Sequence, residues 1–208
     1  MNKNAIFPDG AEKEYDNVVF EGLSLKGKTI SSKQFYNCVF KGCDFTGTAF
    51  MSCKFSDCKF ESCNLSLVKV TGSSFASADF KDSKLAGVNW TAASWPRVKL
   101  PGLLQFVNCV ISDSNFLGLS LRGARVTKCF ARGADFREAD LSCADLTHTD
   151  FTDSLFGKTN LTGADLTRAR NYAIRVSDNR VKDAKFSMPE AMSLLYCLDI
   201  KIIRVQDA

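Results

Sequence analysis

Residues 133–167 read GADFR EADLS CADLT HTDFT DSLFG KTNLT GADLT, an unbroken series of five-residue blocks with Phe or Leu in the fourth place of each. Working outward, the same spacing reaches back through Ala131, Val126, Leu121, Phe116, Ile111 and Phe106. It then resumes one residue out of phase as Leu100, Trp95, Trp90, Leu85, Phe80, Phe75, Val70, Leu65, Phe60, Phe55, Phe50, Phe45, Phe40, Phe35, Ile30, Leu25 and Phe20. A second column lies two residues before each of these centres. It holds small or modest residues such as Cys38, Cys43, Thr48, Cys53, Cys58, Cys63, Ser73, Ala78, Cys109, Ala124, Cys129, Ala134, Thr149 and Ala164.

A helix repeats its apolar face every 3.6 residues and a simple strand every 2, and a strict period of five fits neither. In an extended segment, positions i and i−2 point the same way. Centre and partner therefore both face inward, the other three residues face out, and a corner after every block turns the chain through one side of a coil. Large centres and small partners together fill a narrow interior.

These blocks resemble the pentapeptide-repeat family, whose pattern is A-(D/N)-(L/F)-x-x; GADFR, EADLS, CADLT, HTDFT, KTNLT and GADLT match it most closely, and the likeness spans roughly residues 16 to 170. The resemblance implies an all-β chain, a right-handed quadrilateral parallel β-helix with four blocks to a coil. Residues 20 apart in the sequence then stack at about 4.8 Å, and the array makes a rod on the order of 40 Å long. Cys38 is expected against Cys58, Cys43 against Cys63, and Cys109 against Cys129.

The expected organisation is an N-terminal cap over 1–15, coils in one register over 16–100, a slip or bulge at 101–105, and coils in the second register over 106–186 that decay after 170. A C-terminal helix and tail occupy 187–208. Pro96 and Pro101 each follow a centre, on the outward side where a missing N–H is tolerated, and the single extra residue between Leu100 and Phe106 predicts a bulge or small kink. Trp90 and Trp95 read as core centres. In the tail, Ser187 is the expected N-cap, with Pro189 and Glu190 in the first turn. Ala191, Leu194, Leu195 and Leu198 follow at i, i+3, i+4 and i+7, one apolar helical face. A helix of about ten residues needs a partner surface, either the open end of the solenoid or the tail of a second copy in a two-fold dimer. This ending resembles the tails of the Qnr-type quinolone-resistance and microcin-immunity members of the family, which protect type II topoisomerases.

Little in the sequence speaks for chemistry. His148 is the only histidine and falls at an outward corner position, where acid–base work lacks a pocket. The cysteines share a column with Ala, Ser and Thr and read as small core residues rather than zinc ligands. Phosphate-binding glycine loops and nucleophile elbows are not found. No enzyme activity, cofactor or metal is expected. There is also no apolar run of about 18 residues, and the N-terminus lacks the apolar stretch of a secretory signal, so the expected location is cytoplasmic. The net charge is +4, too small for a nucleic-acid-binding stripe to be expected.

Charge does cluster. Asp135, Glu138, Asp140, Asp145, Asp150, Asp153 and Asp165 form an acidic stretch, followed by basic residues from Arg168 to Lys185. The family resemblance implies a non-catalytic binding protein that engages DNA gyrase or topoisomerase IV as a DNA-like rod, with those acids facing the partner and Ala191, Leu194, Leu195 and Leu198 in a homodimer or cap. The net charge and the absence of long loop insertions leave an alternative open, an interaction scaffold or effector with an unknown partner and no topoisomerase activity.

Overall fold

The structure, a computed structural model, describes residues 12–96, 101–198, 200 and 203. It is a parallel β-solenoid of about eight turns ending in one short helix. Each coil has four sides, and outside one longer coil the centres stack on the residue 20 positions later: Phe20 on Phe40, Phe35 on Phe55, Ile30 on Phe50. Glu14–Asp16, Gln34–Tyr36, Lys54–Ser56 and Ser74–Ala76 make the sheet of the first side. The second side is a six-stranded parallel sheet running from Val19–Glu21 to Arg125–Thr127. The third side is held by single parallel bridges such as Asp44 to Asn64 and Val110 to Phe130; the fourth carries Thr29–Ser31 on Ala49–Met51 and continues in the same way. Backbone hydrogen bonds along each side join successive coils. On the third side Leu25 N–H donates to the Asp44 carbonyl at 2.8 Å, and Asp44 N–H donates to the Leu23 carbonyl at 2.7 Å.

The centres are the core. On the second side Phe20, Phe40, Phe60, Phe80 and Phe106 form one column of parallel rings, with centroids 4.8–5.2 Å apart, and neighbouring columns meet edge to face. Such ring pairs each add about 0.5–1.5 kcal/mol beyond the area they bury. Ala131, the smallest centre, is fully buried between the larger residues of its column.

Corners come in two kinds, and this explains where the cysteines fall. Most corners among the described residues place their second residue at positive φ, as in Asn37, Gly47 and Asp57. At tight corners the N–H of the third residue returns to the centre's carbonyl, as Thr48 does to Phe45 at 2.8 Å and Ala144 to Leu141 at 3.1 Å. Ala, which offers no polar atom, occupies many of these positions. At wide corners a side chain takes over. The Cys63 thiol sits 3.3 Å from the Phe40 carbonyl one coil below and 3.4 Å from the Glu61 carbonyl of its own corner, and Cys43 N–H donates to the same sulfur at 3.4 Å. Cys38, Cys53, Cys58, Cys109 and Cys129 repeat the two carbonyl contacts. The cysteines are thus polar partners for buried backbone groups as well as small core residues.

Three expectations need correction. The slip is not one residue. Phe80 pairs with Phe106, so this coil advances 26 residues where the others advance 20. The six extra residues lie between Ser94, whose N–H still reaches the Ser73 carbonyl, and Leu104, where the next strand begins. Six and one are equivalent in a period of five, so the phase alone could not distinguish them. Trp95 is accordingly no core centre. It is half-buried, and its indole N–H donates to the Trp90 carbonyl at 3.0 Å; Leu100 lies outside the described residues. At the N-terminal end, Tyr15 already heads the first stacked column and is buried, so the array includes part of the expected cap; the rest of that cap, residues 1–11, lies outside the described residues.

The third correction concerns the tail. A 3₁₀ turn over Glu190–Met192 runs into a single helical turn over Ser193–Tyr196, much shorter than the apolar spacing predicts. The Ser187 hydroxyl does not cap it, because it accepts from Arg168 N–H at 2.8 Å and so closes the coil beneath.

Candidate functional site

The interior excludes a substrate. Centres from all four sides interlock, and Phe20, Phe40, Phe60, Phe80, Trp90, Phe106, Phe116, Phe136 and Phe151 are almost fully buried. One depression among the described residues is an open surface groove of about 390 Å³ beside Asp79, Gln105, Arg125, Cys143 and Asp145. His148 stands at an exposed corner, its backbone N–H bonded to the Thr167 carbonyl. Paired thiols perturb one another: the hydrogen bond with Cys58 lowers the Cys38 thiol to about 7, while that same contact and then burial push Cys58 up.

The seven acids of the acidic stretch do not share a face. Asp135 is on the fourth side, Glu138 at the next corner, Asp140 on the first side, Asp145 and Asp165 on the second, Asp150 on the third, and Asp153 at the corner after it. Asp145 stacks beneath Asp165, and Asp140 beneath Asn160, whose side-chain N–H donates to Asp140 at 2.9 Å. Several are neutralised in place. Arg137 donates to both Asp135 oxygens at 3.0 and 2.7 Å and holds that carboxyl below the usual range. Lys185 lies 3.7 Å from Asp165, whose lowered pKa owes most to the Thr167 hydroxyl.

Asp150 is the extreme case. It is 1% exposed, yet Thr152, Asn171 and Arg132 all donate to it, and the Arg170 guanidinium lies 3.5 Å away. Burial alone pushes its carboxyl up, but these bonds outweigh burial and hold it far below the normal carboxylate range. It is the knot of the third side and has no free oxygen to offer a partner.

The tail splits its apolar residues between two directions. Leu194 packs on the core and Ala191 is half-buried. Ser193 and Glu190 tie the turn to the last coil through Tyr172 and Asn171. Tyr172 fills the centre of that coil, its hydroxyl buried without a hydrogen-bond partner and raised to about 12 by burial, then by Glu190. Leu195 and Leu198 face outward, joined in exposure by Met188, Tyr196, Ile200 and Ile203.

Two family models match the chain. One described as a pentapeptide repeat region covers residues 13–90, and one described as pentapeptide repeats covers 114–153 and 144–170. The chain belongs to the pentapeptide-repeat family. The gap between the two matches contains the six-residue insertion. A comparison with curated protein sequences finds no significant match. Among solved structures, one trypsin-treated form of QnrB1, a plasmid-mediated fluoroquinolone resistance protein, matches with a TM-score of 0.69 at 22% identity, covering 88% of this chain and 99% of that one. A second trypsin-treated form of QnrB1 matches with a TM-score of 0.63 at 23% identity, covering 89% of this chain and all of its own. At such identity the likeness establishes the solenoid fold.

Two features of this pentapeptide-repeat protein were not read from its sequence. One is the insertion, hidden by the period. The other is the basic column Lys128, His148 and Arg168, legible as every twentieth residue once the coil length is fixed.

Proposed function

We propose that this chain is a non-catalytic protein-binding rod whose partner is a type II topoisomerase, DNA gyrase or topoisomerase IV, and that it works in the cytoplasm as a homodimer joined through the outward residues of its tail. The observation that carries the binding role is the filled interior, which leaves only outer walls, the corner insertion and the tail to act. The partner class is supported by the shared fold with QnrB1, a fluoroquinolone resistance protein. A DNA-like acidic wall gains less support, because the acids divide among four sides and the strongest are already ion-paired.

That dispersal, with a net charge of +4, favours a second reading: an interaction scaffold or effector for another protein, with no topoisomerase activity. The deciding experiment is equilibrium binding of the purified chain to immobilised gyrase holoenzyme and, separately, topoisomerase IV. Saturable binding to either supports the first reading. No response at tens of micromolar, roughly −6 kcal/mol or weaker, rejects it in favour of the second.

A further inference from the structure

We propose that the edge between the second and third sides of the last coils is a docking strip for an acidic protein helix. The proposal rests on the protein-binding reading above and names the chemistry of a contact without requiring a topoisomerase.

Lys128, His148 and Arg168 occupy the same corner of three successive coils, all exposed. Lys128 N–H donates to the Thr147 carbonyl at 3.0 Å and His148 N–H to the Thr167 carbonyl at 3.2 Å, so the three stand directly above one another. In the earlier coils this corner holds Gly22, Gly42, Ser62, Asp82 and Asn108, and the column is therefore confined to one end of the rod. Around the edge, Arg132 and Arg170 flank Asp150 with more than half of each side chain exposed. Four permanent cations thus lie around the buried Asp150, with Asp113 and Asp153 at the far corner of the third side. The outward column on the other flank is balanced, Arg125 and Lys185 against Asp145 and Asp165. Beside the strip Phe130 is 43% exposed, with the Arg132 guanidinium 5.5 Å from its ring centre. An aromatic ring left in water amid cations is a common element of a contact surface.

Charge complementarity sets the occupant as acidic, and spacing sets its form. The rungs repeat at about 4.8 Å. An α-helix lying along the rod advances about 5.4 Å per turn, so carboxylates at i, i+4 and i+7 keep pace with three rungs. An extended strand repeats its face every 6.6 Å or so and falls out of step after the first. Phe130 then receives an apolar residue from the helix flank.

The test is fluorescence anisotropy with a labelled alanine-based helix of roughly 20 residues bearing Glu in one i, i+4, i+7 stripe. The comparison probes are the same composition with Glu scattered around the helix, and an oligothymidylate. The striped peptide is expected to bind most tightly, and the chain carrying Lys128→Glu and Arg168→Glu to lose about tenfold in affinity. Lys128→Gln with Arg168→Gln, which removes charge without adding repulsion, loses about threefold. Lys69→Glu, an exposed lysine on the fourth side, changes affinity less than twofold or so. Equal binding of the scattered peptide, or losses no larger than for Lys69→Glu, overturns the proposal. Tighter binding of the oligothymidylate, lost on the same reversals, overturns it in favour of nucleic acid. Failure here leaves the topoisomerase measurement untouched, since neither peptide nor oligonucleotide enters that assay.

Discussion

Replacing Thr149 by Val tests the wide-corner rule without making a cavity. Thr149 is fully buried. Its hydroxyl donates to the Val126 carbonyl one coil below at 2.6 Å and accepts from Cys129 N–H at 3.2 Å. Valine keeps the shape and deletes both bonds, leaving two buried backbone groups without this partner. Each such loss costs about 1–3 kcal/mol, so the variant should be less stable by about 2–6 kcal/mol. For a chain of this size that is a fall in Tm on the order of 4–24 °C. Thr149→Ser keeps the hydroxyl and loses one methyl, at about 1 kcal/mol. Thermal unfolding followed by circular dichroism, with hydrogen exchange at the Cys129 amide, separates the two. A Val variant as stable as the Ser variant would refute the reasoning, because packing rather than the hydroxyl would then hold the corner.

The Asp150 knot makes a second expectation. Its folded-state pKa is depressed, so its stabilisation is present above the ordinary carboxylate value near 4 and disappears as pH falls through the folded value. Asp150→Asn should cost about 1–3 kcal/mol at neutral pH and flatten the acid side of the stability profile; equal Tm values for the two chains at pH 7 would count against it. For the tail, Leu198→Asp at the exposed end should turn the proposed dimer into a monomer on a sizing column with little change in Tm. Leu194→Asp, which packs on the core, should instead lower Tm; a wild type that already elutes as a monomer refutes the dimer.

Much of this fold is legible because a five-residue period has few physical solutions. Once Phe20, Phe40 and Phe60 are taken as one column, the coil length follows, and with it the stacking of Asp145 on Asp165 and of Cys43 on Cys63. What escaped notice did so for definite reasons. Trp95 and Leu100 continue the period by residue type, so an insertion of six passed for a slip of one. The thiols looked like filler because Ala, Ser and Thr share their column, whereas the distinction lies in the corner preceding each. Ala191, Leu194, Leu195 and Leu198 fit a longer helix, but that spacing carries no information about how many turns the end of the rod can support. The acidic stretch was contiguous in sequence and dispersed in space, since each successive block faces a different side.

The most direct test of the functional account is gyrase supercoiling in the presence of ciprofloxacin, with increasing amounts of the purified chain. The account predicts that supercoiling is restored progressively as the chain is added, with less cleaved DNA. Unchanged inhibition and unchanged cleavage across the micromolar range would contradict it, and the rod would then serve a different partner.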